Sequence, residues 1–141
     1  MTGIEVEMKL VKFIKTHQIE ELGGKTLAQL VNGEVCYNGQ RALNSQKEDI
    51  VVAFASGLEG TIDTGVAMVN IYVPNTDFGE GVNQRDTARV FELSEALKAF
   101  RSSLPVGDFW FQSDSTIQDY PEPEIEQYYI NLRLKISHNG N

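Results

Sequence analysis

The sequence predicts an α+β domain: a mixed or mainly antiparallel sheet of about four to five strands, with two main helices packed on one face. Three features of the chain predict it. Two apolar runs of β type, Asp49–Ala55 and Val66–Val73, lie close together. The segment from Asp86 to Ser103 repeats apolar residues at three- and four-residue spacing. Ile125 to Ile136 alternates between apolar and polar positions. At 141 residues the chain has the size of one ordinary domain, so 1–141 is read as a single unit.

Ile4 to Thr16 opens the chain as an amphipathic helix. Ile4, Met8, Val11 and Lys15 share a stripe, broadened by Val6, Leu10, Phe13 and Ile14. Glu5 and Glu7 near its start and Lys12 and Lys15 near its end suit the helix dipole. Gly23-Gly24 breaks the chain, Thr26 to Val31 forms a short helical turn, and Asn32-Gly33 ends it. Glu34 to Tyr37 is a short strand, followed by a polar loop from Asn38 to Lys47.

Asp49–Ala55 and Val66–Val73 carry apolar residues on both faces, as central strands covered on both sides do, with Asn70 the clearly polar exception. Between them Ser56 to Gly65, rich in Gly, Ser, Thr and Asp, reads as a hairpin loop. Pro74 ends the second strand, and Asn75 to Asn83 is a loop containing Gly79 and Gly81. Asp86 caps the second helix, which turns Val90, Leu93, Leu97, Phe100 and Leu104 inward and Arg89, Glu92, Glu95 and Lys98 outward. Pro105-Val106-Gly107 stops it. Asp108 to Gln112 is a short aromatic strand with Trp110 in the core. Asp114 to Glu124 reads as a polar loop. In the last strand Tyr128, Ile130, Leu132, Leu134 and Ile136 face the core, while Gln127, Tyr129, Asn131, Arg133 and Lys135 face water. His138 to Asn141 fray.

Composition narrows the function. Hydrophobic content of 41% and charged content of 23% are those of a soluble globular chain. Twelve Lys and Arg against 20 Asp and Glu leave a formal net charge of -8, which opposes phosphate-neutralising contacts with nucleic acid. Cys36 is the single cysteine, so no intrachain disulfide forms, and a reducing compartment such as the cytoplasm is expected. Cys36 itself reads as a buried structural thiol with no basic partner to activate it. Charges interrupt the N-terminal segment, so no secretory signal is expected, and no apolar run is long enough to cross a membrane.

Asp63-Thr64-Gly65 is the sharpest catalytic candidate. In an aspartic protease such an Asp shares a proton with a twin, which this chain would supply by dimerising. Thr61 interrupts the apolar run that would carry the motif, and no later hydrophobic-hydrophobic-Gly element supports it, so Asp63 reads as a turn residue. His17 and His138 lie far apart in sequence with no ligand spacing around them, so no metal is expected. Asp119, Glu122, Glu124 and Glu126 read as a solvated acidic loop rather than a calcium loop. Gly57-Leu58-Glu59-Gly60 lacks the Lys-Ser/Thr of a phosphate loop. Arg85, Arg89 and Arg101 form a solvated helix face diluted by Glu92 and Glu95. No catalytic, cofactor-binding or metal-binding residue is therefore assigned, and no enzyme activity is expected.

The element order and three stretches carry a resemblance. The first helix leads through the Asn38–Gln46 loop into Glu48-Asp49-Ile50-Val51-Val52. Val69-Asn70-Ile71-Tyr72-Val73-Pro74 leads through a polar loop to the Asp86–Ser103 helix, and Glu126 to Ile136 returns to the sheet. In this the chain resembles the tail-terminator or tail-completion (head-tail joining) proteins of tailed bacteriophages, and the resemblance implies a prophage-borne member. The resemblance implies an α+β subunit that self-associates into a ring, caps the tail tube and meets head-connector proteins. DNA would pass through the lumen without specific binding. It implies no membrane contact and a place in the cytoplasm before assembly into the virion. The rivals are a small hydrolase using Asp63 and a protein-binding adaptor of a mobile element.

Overall fold

The computed structural model describes residues 2–58, 62–104, 109–113 and 116–139. Helix α1 spans Gly3–Thr16, with the Thr2 hydroxyl accepting from the Glu5 N–H at its start. Its buried stripe is Val6, Leu10, Val11 and Ile14. Ile4 and Met8, expected on that stripe, are 55% and 56% exposed. The sheet reaches only the Val6–Leu10–Ile14 side of the helix, and the two residues fall on its flank. Leu27–Leu30 follows as one turn of 3-10 helix inside a capping box, in which Thr26 and Gln29 satisfy each other's backbone N–H groups.

The main sheet contains β1 (Val35–Tyr37), β2 (Ile50–Leu58), β3 (Ile62–Pro74), β6 (Phe109–Ser113), β7 (Gln118–Glu122) and β8 (Gln127–Asn139). A separate small hairpin joins β4 (Thr76–Asp77) to β5 (Asn83–Gln84), ahead of helix α2 (Thr87–Ser102). The lanes run β1-β2-β3-β8, and β6 and β7 share the lane beyond β8. β7 pairs with the first part of β8, from Gln127 to Asn131, and β6 with Leu134 to His138. Among the described strands only β1 and β2 pair in parallel, so the sheet is mixed. A parallel neighbour needs a crossover of roughly a dozen residues, usually a helix. Here the loop over 38–47 makes that return.

The register sorts the side chains. Ile50 pairs with Ile71 and Val52 with Val69, while Ile71 pairs with Ile130, Val69 with Leu132 and Ala67 with Leu134. These rows form one cluster with Val6, Leu10 and Ile14 of α1 and Val90, Leu93, Leu97 and Phe100 of α2. Both helices therefore lie on one face, as the sequence predicts. The opposite face carries Cys36, Val51, Asn70, Tyr72, Tyr129 and Asn131 at the alternate positions.

Several boundaries differ from expectation. The hairpin expected over Ser56 to Gly65 is longer in strand than the sequence suggests: β2 continues to Leu58 and β3 begins at Ile62, past a register shift between Phe54 and Ser56, and residues 59–61 lie outside the described residues. Pairing across the strands imposes extended backbone on turn-prone residues there. The expected polar loop from Asp114 to Glu124 contains β7, which has no apolar pattern and forms by docking on β8. The last strand runs on through His138 and Asn139 instead of fraying. The Pro105-Val106-Gly107 stop, the side chain of Trp110 and the two terminal residues lie outside the described residues.

Candidate functional site

Where β2 begins, two adjacent carboxylates are buried, Glu48 and Asp49. Each receives an arginine. Arg89 of α2 donates through Nε and Nη2 to the two oxygens of Glu48, at 2.6 and 2.8 Å, and through Nη2 to the Leu30 carbonyl oxygen at 2.6 Å. Its Nη1 donates to Glu92 at 3.0 Å. The Asn32 N–H donates to Glu48, and the Asn32 side-chain oxygen accepts from the Glu48 N–H at 2.8 Å. Such a forked, charge-assisted contact binds α2 and the 3-10 turn to the start of the sheet. Hydrogen bonding to Glu48 holds the guanidinium pKa above its ordinary value, against the opposing effect of burial.

Asp49 ties down the crossover loop. It accepts from the Glu34 N–H at 2.8 Å, from Arg41 Nε at 2.9 Å and from the Ser45 hydroxyl at 2.5 Å. Burial alone pushes its pKa up, but these hydrogen bonds and the Arg41 charge outweigh it and hold the carboxyl below the usual value. Arg41 also donates to Gln127 Oε1 at 2.8 Å, and Gln127 returns a hydrogen bond to the Ser45 carbonyl at 2.7 Å. Gln127, expected on the wet face, is thus buried. Gly33 passes so close to the Glu48 backbone and the Asp49 carboxylate that a Cβ there would overlap both.

Two loops lie at the same end of the sheet: Asp49 holds the loop over 38–47, and a separate hydrogen bond from the Thr76 hydroxyl to Asp86 ties the β4–β5 hairpin to the start of α2. The loop over 38–47 carries Leu43 at 91% exposure. The β4–β5 hairpin carries Phe78 and Val82, both exposed. Its turn is ordered by Asp77, whose Oδ1 accepts from the N–H groups of Gly79, Glu80 and Gly81, which lowers the pKa of that carboxyl. Loops held on a rigid scaffold are where binding contacts concentrate.

Beside them, the open sheet face carries a row across four elements. The rings of Tyr120 and Tyr129 are 5.5 Å apart, those of Tyr129 and Tyr72 are 5.7 Å apart, and the Arg41 guanidinium lies 4.0 Å from the Tyr72 centroid. Burial and the nearby Glu122 charge raise the pKa of both Tyr72 and Tyr129. Asn131 donates to the Asn70 side-chain oxygen at 2.7 Å on the same face.

The residues singled out in the sequence fall as follows. Asp63 lies in β3, not in a turn, paired with His138; its neighbours Thr64 and Gly65 pair with strands on both sides. The side chain of Asp63 lies outside the described residues. His17 bonds the Ser103 carbonyl oxygen through Nε2 at 2.8 Å. Among the described residues no group of three or more His, Cys, Asp or Glu is placed to hold a metal ion, and no helix is long and apolar enough to cross a membrane. Burial and the charges of Asp49 and Glu34 raise the pKa of the Cys36 thiol, which opposes nucleophilic use.

Two arginines expected in solvent are engaged. Arg89 holds Glu48, and Arg85 forks onto Asp119 with two contacts of 2.7 Å, removing Asp119 from the solvated acidic loop. The signal that could have found Arg89 is the Glu48-Asp49 pair itself. Carboxylates entering a buried strand need cations. No protein-family model matches the chain, and the search of curated proteins returns no match.

Proposed function

We propose that this chain is a structural component of tailed-bacteriophage morphogenesis, a ring-forming tail-terminator, tail-completion or head-tail joining subunit. The observation that carries the reading is the fixed pair of loops at one end of the sheet, with Leu43, Phe78 and Val82 turned to solvent. Loops of this kind would meet tail-tube and head-connector proteins, while the lateral edges of the sheet and the flank of α1 serve self-association. Rings follow when a heterologous interface closes on itself. The net charge of -8 suits a lumen that lets DNA pass without gripping it. Assembly takes place in the cytoplasm, before incorporation into the virion.

Light scattering tests the reading directly, with electron microscopy of the protein added to isolated tail tubes. The expected results are a multiple of the subunit mass and a cap on the tube end. A strict monomer at high concentration that leaves tube ends bare would overturn it. Portal, major-tail and tape-measure genes beside its own gene would separate this reading from that of a general adaptor. The rival hydrolase has its own test: Asp63→Asn is expected to change nothing in a peptide-cleavage screen, because Thr64-Gly65 is paired backbone on both sides.

A further inference from the structure

The sheet ends in two lateral edges that differ in kind. On one side, among the described residues, β1 pairs only with β2. The Glu34 carbonyl accepts from the Ile50 N–H, and the Asn38 N–H donates to the Val52 carbonyl. By the alternation of a parallel ladder, Val35 and Tyr37 therefore point their N–H groups away from the sheet. This edge is flanked on both faces. On the helix side a groove of about 510 Å³ is lined by Glu5, Met8, Lys9, Val11, Lys12 and Tyr37. On the other side a cavity of about 330 Å³ lies under the crossover loop, with Cys36, Ser45 and Asp49 among its walls. Side chains of an added strand alternate between faces, so successive residues would enter the two cavities in turn.

On the far side of the sheet the outer lane holds β6 and β7. Pro121 blunts β7, because it has no N–H to offer a further strand. β6 has no proline in its five residues, Phe109–Ser113, and begins with Phe109-Trp110-Phe111. Its apolar composition matches the Met8, Val11 and Tyr37 lining, and it lies between Asp108 and Asp114 in a sequence of net charge -8. Lys9 and Lys12 at the groove supply the opposite charge.

We propose that the β1 edge receives β6 of a second copy of this chain, extending one sheet into the next by strand addition. The interface is head-to-tail, the kind that builds a ring when the rotation between copies closes. This rests on the ring-forming reading and names the surfaces that build the ring.

The test compares the wild-type chain with Val35→Pro and Met8→Glu by light scattering, with circular dichroism as a check on folding. Val35→Pro removes an outward donor without touching the β1–β2 ladder, and Met8 is already 56% exposed, so both variants are expected to fold. Each is expected to shift the mass from oligomer to monomer. A third variant, Gln112→Cys, adds a thiol on β6 at the register position of Lys135, whose strand position shares a sheet face with Cys36. Mild oxidation is expected to give a ladder of covalent oligomers, lost when Cys36→Ser is added. Oligomers that persist in both Val35→Pro and Met8→Glu, with no covalent ladder, would overturn the edge assignment and leave the ring reading standing. A wild-type chain that stays monomeric, alone and with tail tubes, would overturn both.

Discussion

Glu48 and Asp49 are neighbouring carboxylates, and both are buried at the start of β2. Removing the partner of a buried charge strands it in a poorly solvated site. Arg89→Met is therefore expected to destabilise the fold by about 3 kcal/mol, the low end for a broken buried pair because Arg89 itself keeps some exposure. Urea unfolding reads the loss. The double variant Arg89→Met/Glu48→Met is expected to recover most of it, and no recovery would mean that the pair is not the cause. Asp49 predicts a pH dependence. Its folded-state pKa lies below the ordinary value of 3.8, so the stability it contributes is complete above about pH 4 and drains away as pH falls through the lower folded value. Asp49→Asn is expected to flatten that acid limb in urea titrations, and an unchanged limb would assign the acid sensitivity elsewhere.

The two helices differ in how fully the core uses them. Leu97 of α2 is fully buried between sheet and helix. Leu97→Ala is expected to cost about 2–5 kcal/mol, as large-to-small core changes do. Ile4→Ser on the flank of α1 is expected to stay within about 0.5 kcal/mol of the parent, as surface changes do. If thermal melts ranked them the other way, the placement of α1 would be wrong. Asp86, whose side chain accepts from the Arg89 N–H, caps α2, so Asp86→Ala is expected to cost about 1 kcal/mol. Both helices, the cap and the alternation of β8 were legible in the sequence because each follows a local period or a local hydrogen bond. β7 was not legible. Its residues, Gln-Asp-Tyr-Pro-Glu, carry no period, and only the ladder of β8 makes them a strand.

At the scale of the molecule, the packed core and the exposed loop tips occupy different parts of the sheet. The helices and one face form the core, while the start of β2, the end of β3 and the start of β8 hold the loops. If Leu43, Phe78 and Val82 are docking tips, Leu43→Ser together with Phe78→Ser is expected to leave the melting temperature and the oligomer mass unchanged. It should weaken binding to tail tubes at least tenfold in a sedimentation assay. Unchanged binding would move the docking surface away from this end. Edge variants at Val35 or Met8 are expected to do the reverse, lowering oligomer mass first.

By itself the sequence determined the class of fold. Periods of two and of three to four residues depend on near neighbours in the chain, and they placed β2, β3, β8 and both main helices within a few residues. Only the tertiary structure decided which polar residues matter. Arg41 reaches Gln127 across 86 positions of sequence and Arg89 reaches Glu48 across 41. No local pattern encodes a partner at that distance. The same holds for the lanes of the sheet: strand order and the two unlike edges come from which strands meet after the chain has folded, and periodicity does not record that.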